Sequence, residues 1–419
     1  MKVLWITNIE FPEVVRQITG NGELKSTGGW LVGAAEAITN YCDNIELYVA
    51  TVSHLVEKLT QIQGEKIKYY LLPWGKGNLK KNNEYIPLWQ QVKQEVKPDI
   101  IHIHGTEFSH GLAYVDACGA NNVVVSIQGL KSAYYYYYYY GLSKWDILKN
   151  STLRDLIKGT PIREKLKFKI QSKYEVELLQ KVMHIIGRTS WDRARTWAIN
   201  PQAEYHFCNE TLRREFYDGS KWTYDNCNKH SIFVSQAGYP IKGLHQLLKA
   251  MPLILREYPD TEIHIAGNDI TKCNRISDLK SFTTYGKIIS KLIKQLGLLG
   301  RITFTGNLNA EEMKVEYLKC NVFVCPSSVE NSPNSLGEAQ ILGTPVVASY
   351  VGGVPDMMSG DDTNLYRFEE IEMLAYKICE TFHKSSTISN KLANTALARH
   401  NAISNTETLI EIYKKIRSK

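Results

Sequence analysis

The chain has 419 residues, 43% hydrophobic and 22% charged, a globular composition that excludes wholesale disorder over a length too great for one ordinary core. Fifty Lys and Arg against 43 Asp and Glu leave a formal charge of +7. That charge is local, because thirteen Lys and Arg meet six Asp and Glu between Lys144 and Arg195, which points to one basic surface and away from a nucleic-acid partner.

Short β-branched runs alternate with longer amphipathic stretches. Strands are predicted at 2–7, 45–51, 66–72, 99–104, 122–127, 184–188 and 204–208, with helices at 30–41, 87–96, 152–182 and 190–199. A second series follows, with strands at 231–236, 262–266, 302–305, 322–325 and 345–349. Its helices are predicted at 243–257, 286–296, 310–319, 334–342 and 372–384. Many of the strands are apolar on both faces, as expected between two helix layers. Alternation of this kind builds parallel sheets with right-handed crossovers. Two series mean two doubly wound domains, which bind ligands where strands end. The stretch 213–229 is polar, aromatic and aperiodic, and is expected to be the linker.

The N-terminus turns polar too soon for a signal peptide, and nothing approaches eighteen consecutive apolar residues. Eight cysteines are scattered, with no Cys-x-x-Cys and no zinc spacing. Reduced thiols in a cytoplasmic protein are expected.

The stretch from Cys325 to Ala339 runs from a strand end through a loop into a helix. Ser332 before Pro333 reads as an N-cap. Such a helix start aims free N–H groups and a positive dipole end outward, which suits phosphate. Asn334, Ser335 and Leu336 would supply the amides. Glu338 must then point elsewhere, and a ribose diol fits a carboxylate. Glu330 stands before the turn, where it could accept hydrogen bonds from sugar hydroxyls.

Glu330 and Glu338, followed by Gly343-Thr-Pro-Val-Val-Ala-Ser and by Gly352-Gly-Val-Pro-Asp356, resemble the donor-site region of the retaining GT-B glycosyltransferases of family 4. Upstream, Tyr239-Pro-Ile-Lys242-Gly-Leu, Ile265-Ala-Gly267 and Phe304-Thr-Gly-Asn307-Leu308 are similar to that family's loops and strand ends. Near the N-terminus, Ser26-Thr-Gly28-Gly29-Trp resembles its glycine-rich loop. The resemblance is specific over 230–360 and looser before it. It implies an α/β protein of the GT-B class, with two Rossmann-like doubly wound domains facing across a cleft. Residues 1–215 would bind the acceptor and 216–395 the nucleotide-sugar donor, with a C-terminal helix within 396–419 crossing back.

The resemblance also implies roles. Lys242 would neutralise the leaving diphosphate. Gly28 and Gly29 would let backbone approach phosphate or sugar, and Gly267, Asn307 and Leu308 would line the donor site. Where the family carries an arginine five residues before the lysine, this chain has Ala237, beside Gln236. Either Gln236 donates in its place or another cation does, Arg188 being one candidate. The family's histidine near the reacting sugar is here Gln128, which cannot act as a base at neutral pH. Front-face attack with retention tolerates that, because the leaving phosphate oxygen can take the acceptor's proton. Glu107, just past a strand end, is the other acceptor-site candidate. His102 and His104 share one strand face, which allows metal ligation, lining of the cleft, or internal satisfaction. No Asp-x-Asp occurs, so neither a metal nor any other cofactor is expected.

Seven consecutive tyrosines, Tyr134 to Tyr140, are expected to overhang the acceptor side from the first domain, where they could stack on sugar or pack on their own domain. Pro161 should break 152–182 into two helices, with Ile162, Leu166 and Ile170 four apart on one apolar face. Such a helix packs on a sheet or lies on an anionic membrane surface, the inner face of the plasma membrane in this case. The reading is a retaining hexosyltransferase that moves a sugar, from UDP-sugar first, to a saccharide or lipid-linked saccharide in surface polysaccharide biosynthesis. A nucleotide-sugar epimerase of the same fold and a non-catalytic sugar-nucleotide-binding subunit are the alternatives.

Overall fold

Fourteen strands alternate with helices in the computed structural model, which describes residues 1–20, 29–42, 44–75, 84–159, 161–273, 282–359, 362–384 and 391–418. The first eight strands are β1 (Lys2–Thr7), β2 (Glu46–Ser53), β3 (Thr60–Gln63), β4 (Lys68–Pro73), β5 (Ile100–His104), β6 (Val123–Ser126), β7 (His184–Gly187) and β8 (Glu204–Phe207). They form one sheet in the order β3-β4-β2-β1-β5-β6-β7-β8. Only β3 runs antiparallel, against β4. The remaining strands are β9 (Asn228–Val234), β10 (Glu262–Ile265), β11 (Ile302–Phe304), β12 (Cys320–Cys325), β13 (Val346–Ser349) and β14 (Leu365–Tyr366). They form a second sheet, β11-β10-β9-β12-β13-β14, with parallel pairing throughout.

Every predicted strand is present. β3 was not predicted, because its alternate residues are exposed and polar and it pairs at an edge. β14 is only two residues long, too short for any periodicity. The central strands β1, β5 and β12 are buried along nearly their whole length, which fits apolar side chains on both faces.

The chain packs into two units. The first comprises Met1–Ala133, Lys167–Arg213 and Arg399–Lys419, and the second comprises Tyr134–Leu166 and Arg214–Ala398. The core of the first joins Val3, Trp5, Val49 and Ile100 to Leu409, Ile412 and Tyr413 of the C-terminal helix Ala402–Arg417. The core of the second joins Ile232, Val234, Ile263, Val322 and Val347 to Leu247, Leu248 and Met251 of helix Leu244–Glu257.

Two expectations need correction. The tyrosine run packs with the second unit. Ser328 Oγ donates to the Tyr137 carbonyl at 3.0 Å, and His245 Nε2 contacts the Tyr140 carbonyl at 3.0 Å. Thr152 Oγ1 and Thr284 Oγ1 both reach across the following segment, to the Phe282 carbonyl and to Asp155 Oδ2. These bonds use backbone and small hydroxyls, which leave no periodic trace in sequence. The stretch beginning at Arg214, expected to be a linker, is also packed on the second unit. Phe216 is fully buried against Tyr317, and Trp222 donates its indole N–H to the Cys320 carbonyl at 2.7 Å. Isolated aromatics, and not a repeating pattern, dock it.

Pro161 does divide the long helical stretch, into Leu153–Lys158 and Pro161–Lys181, with Gly159 between. Leu166 and Ile170 lie exposed on the second helix, as do Trp145, Leu153 and Ile157 before it. Among the described residues, no helix is long and apolar enough to cross a membrane.

Candidate functional site

In the second unit, the loop between β12 and helix Asn334–Leu342 gathers the predicted residues. Lys242 ends a short 3-10 turn, Pro240–Lys242, after β9. Its Nζ reaches Glu330 Oε1 at 2.6 Å, and Ser327 Oγ donates to the same oxygen at 2.7 Å. Glu330 is buried and the Lys242 side chain is one-fifth exposed. Burial works to lower the lysine pKa, but the Glu330 carboxylate outweighs it and holds the ammonium above its ordinary value. Lys242 is therefore a fixed positive charge.

Two glycines make this approach possible. Gly243 has φ +71, and a Cβ there would lie 1.7 Å from the Pro326 carbonyl oxygen. Gly352 has φ +53, and its Cβ would lie 1.7 Å from the Glu330 carbonyl oxygen. Neither position tolerates a side chain without moving the loop. The Glu330 carbonyl accepts from Gly353 N at 3.0 Å, and Ser328 N donates to Ile241 O at 2.7 Å, so the lysine turn and the glutamate loop are tied through backbone.

The helix Asn334–Leu342 starts at Pro333, not at Ser332, and no side chain caps it. Proline has no N–H and its ring sets φ near the helical value, so it sits at the boundary. Ser332 Oγ instead contacts Met357 Sδ at 3.6 Å. The Leu336 amide was expected to face a ligand, but it donates to Pro333 O at 3.0 Å. Asn334 Oδ1 is buried without a hydrogen-bond partner among the described residues. Glu338 is buried in the next turn, where Tyr317 Oη donates to its Oε2 at 3.3 Å.

Gly267 and Gly306 exchange backbone hydrogen bonds of 2.8 and 3.2 Å just past β10 and β11. This clasp fixes the loop carrying Asn307, which is exposed, and Leu308, which is half-buried. Gln236 is exposed after β9, whereas Ala237 lies in the core of the unit.

In the first unit the acceptor-side candidates follow β5 and β6. His102 is satisfied internally. Trp5 Nε1–H donates to Tyr413 Oη at 3.0 Å, so the phenol proton is available to His102 Nδ1 at 2.5 Å, and Nε2 faces Ser126 Oγ at 2.5 Å. Burial pushes its pKa down to about 3. His104 packs against Trp5 with its ring tilted by 59° and the centroids 4.3 Å apart, is held neutral by burial, and keeps both ring nitrogens without a hydrogen-bond partner among the described residues. It lines a cavity of about 50 Å³ with Gln128, Arg188 and Glu210. Arg188 is not a spare cation. It is ion-paired with Glu210 and donates to the Ile127 carbonyl.

Glu107 accepts from Asn8 Nδ2 at 3.4 Å. Burial raises its pKa, and the Lys131 charge opposes that rise. Beside it, Glu175 accepts from the Lys131 and Ser132 amides at 2.8 and 2.9 Å and from Thr106 Oγ1 at 2.8 Å. Glu175 thus occupies the N-terminus of helix Lys131–Tyr137. Tyr134 follows on that helix, half-buried. Gly29 opens helix Gly29–Tyr41, and Gly28 lies outside the described residues.

Sequence reasoning missed Ser327, Asn8 and Glu175. Ser327 lies three residues before Glu330 in the same motif, so it was within reach. Asn8 and Glu175 meet Glu107 and Thr106 from 99 and 69 residues away, with no local signal.

Residues 223–398 match the glycosyl transferases group 1 family. That segment lies within the second unit and is similar to the group 1 glycosyl transferases. A glycosyltransferase of Methanocaldococcus jannaschii, itself uncharacterized, is 30% identical over 138 residues, 33% of this chain and 31% of that one. The chain thus spans under a third of the length of the curated relatives it matches first. Over its whole length the fold is similar to sucrose-phosphate synthase of Thermosynechococcus elongatus, with TM-score 0.70, 15% identity and coverage of 100% and 99%. It is also similar to HepE of Anabaena, solved with UDP and glucose, with TM-score 0.65, 16% identity and coverage of 99% and 100%. The fold is GT-B. The group 1 segment contains Lys242, Glu330, Glu338 and both loop glycines, whereas His104, Glu107 and Gln128 lie before it.

Proposed function

We propose that this chain transfers a hexosyl group from a nucleotide-sugar, a UDP-sugar first, to a saccharide or lipid-linked saccharide acceptor, with retention of configuration, in surface polysaccharide assembly. The observation that carries the reading is the Lys242–Glu330–Ser327 cluster at 2.6 and 2.7 Å beside an uncapped helix N-terminus. A fixed ammonium and free amides on adjoining segments are what a leaving diphosphate needs as its charge grows. In the step, the bond from the anomeric carbon to the phosphate oxygen breaks and a bond to the acceptor oxygen forms. The acceptor proton passes to the departing phosphate oxygen, and nucleoside diphosphate leaves. No metal or other cofactor is required in this scheme.

Lys242 faces the diphosphate, and the Asn334 and Ser335 amides take phosphate oxygens. Glu330 holds the lysine and accepts from sugar hydroxyls, while Glu338, itself held by the buried Tyr317 hydroxyl, takes the ribose. Gln236, Gly267, Asn307 and Leu308 border the nucleotide. His104, Glu107, Gln128 and Tyr134 contact the acceptor. HepE bound to UDP and glucose supports a UDP-sugar donor.

The test is a thermal-shift screen of UDP, GDP, ADP and their sugars, followed by donor turnover with wild type and Glu330→Ala. Stabilisation by one nucleotide and loss of turnover in the variant are expected. Unchanged turnover would sink the catalytic assignment. Release of an epimer from donor alone would favour the epimerase reading, and binding without turnover on any acceptor would favour the binding subunit.

The same reading places the protein in the cytoplasm, peripheral on the inner face of the plasma membrane. Exposed Trp145, Ile157, Leu166 and Ile170 lie in a stretch rich in lysine and arginine, which supports contact with anionic lipid. Flotation with anionic vesicles at low salt should recover the protein, and Trp145→Ser with Ile157→Ser should reduce recovery. No wild-type protein in the lipid fraction would refute the membrane contact.

A further inference from the structure

We propose that His184, Glu204 and His206 form a site for a zinc-like divalent transition metal at the edge of the N-terminal sheet. This proposal is independent of the reading above. His184 opens β7 and pairs in register with Glu204, which opens the edge strand β8. His206 stands two residues on from Glu204, so all three side chains share one face. Their donor atoms all lie within 4.8 Å of one another.

His184 Nδ1 is 3.1 Å from His206 Nε2 and 3.7 Å from Glu204 Oε2. Two ligands held at about 2.0–2.1 Å from one tetrahedral zinc stand about 3.3–3.4 Å apart, so the observed separations bracket what a shared cation requires. Two neutral imidazoles and one carboxylate are also the donor set that zinc accepts with a fourth position left to water. His206 is buried, and the side chains of His184 and Glu204 are 12% and 30% exposed, which shelters the site and leaves a path in. Lys415 pairs with Glu204 Oε1, while Oε2 is the oxygen turned to His184. A ligand carboxylate oriented by an outer partner is typical of metal sites.

His184 and Glu204 open their strands and His206 is the third residue of β8, whereas the acceptor candidates lie at or past the C-terminal ends of β5 and β6. The metal would therefore act on structure. It would pin β8, a four-residue edge strand, to β7.

The rival reading is a plain imidazole–imidazole hydrogen bond, which also spans 3.1 Å. Untagged full-length protein, stripped by chelator and dialysed against Zn²⁺, separates the two. One zinc per chain is expected by atomic absorption, with a rise in melting temperature. His184→Asn and His206→Gln should each weaken binding by about tenfold or more. The eight free cysteines are the competing ligands, so Co²⁺ substitution reads ligand type on wild type alone and does not depend on variants folding. Visible bands without a sulfur charge-transfer band support the site. A sulfur band, or zinc retained in full by the folded double variant, overturns it, as does wild type that holds no zinc.

Discussion

Replacing Lys242 by Met removes one partner of an ion pair whose side chains are 19% and 9% exposed. Glu330 would keep only the Ser327 hydroxyl on its Oε1. Breaking a fully buried pair costs about 3–5 kcal/mol, and a solvated pair contributes about 0–1 kcal/mol. Water reaches the lysine but hardly the carboxylate, so a value of about 2–3 kcal/mol follows for this site. On a unit of this size that is about 5–10 °C in melting temperature. Glu330→Gln keeps shape but strands the ammonium, and should cost about 2 kcal/mol. The double variant carries neither charge, so its loss should fall short of the sum by about 2 kcal/mol. Urea unfolding of wild type, both single variants and the double variant measures this. Additivity within about 0.5 kcal/mol would refute the coupling. The folded lysine pKa lies above its ordinary value, so this contribution is complete below that ordinary value and is lost only as pH rises through the higher folded one. The difference between variants should therefore be flat from pH 6 to 9.

Acid should unfold the N-terminal unit first. His102, His104, His110 and His400 are all buried there with pKa values pushed below 6.5, and His245 is the one so placed in the C-terminal unit. Below pH 6.5 the unfolded chain binds protons that the folded one refuses, so stability falls as pH falls, until the folded values near 3 to 4 are reached. At pH 5 each such histidine costs about 2 kcal/mol. Calorimetry from pH 7 to 5 should show the N-terminal transition dropping further, and a flat profile would contradict it. Gly352→Ala meets both a positive φ and a carbonyl oxygen 1.7 Å from the new Cβ, whereas Gly300→Ala has φ +81 and nothing within 4 Å. The first should cost about 2–4 kcal/mol and weaken nucleotide binding, and the second about 1 kcal/mol with binding intact. Equal urea midpoints would remove the argument for close backbone approach at Glu330.

Strands and helices of both sheets could be read from the chain because buried parallel strands must be apolar on both faces, a local property that survives in any window of six residues. The Cys325 to Ala339 stretch was legible for a similar reason: strand end, loop and helix start are consecutive, so their order implies an amide-lined turn. Its details were less so. Pro333 rather than Ser332 starts the helix, and the Leu336 amide is already used.

What sequence alone determined, then, was the two-sheet architecture and the identity of the two segments bearing Lys242 and, separately, Glu330 and Glu338. Tertiary structure decided which groups meet. Lys242 and Glu330 are 88 residues apart and share a hydrogen bond, and His102 is completed by Tyr413, 311 residues away. The tyrosine run joined the second unit through carbonyls accepting from Ser328 and His245, and His184 met Glu204 and His206 through strand register. Hydrogen bonds and ligand sets of this kind depend on distances of about 3 Å between side chains far apart in sequence. Such distances exist only once the sheets have formed.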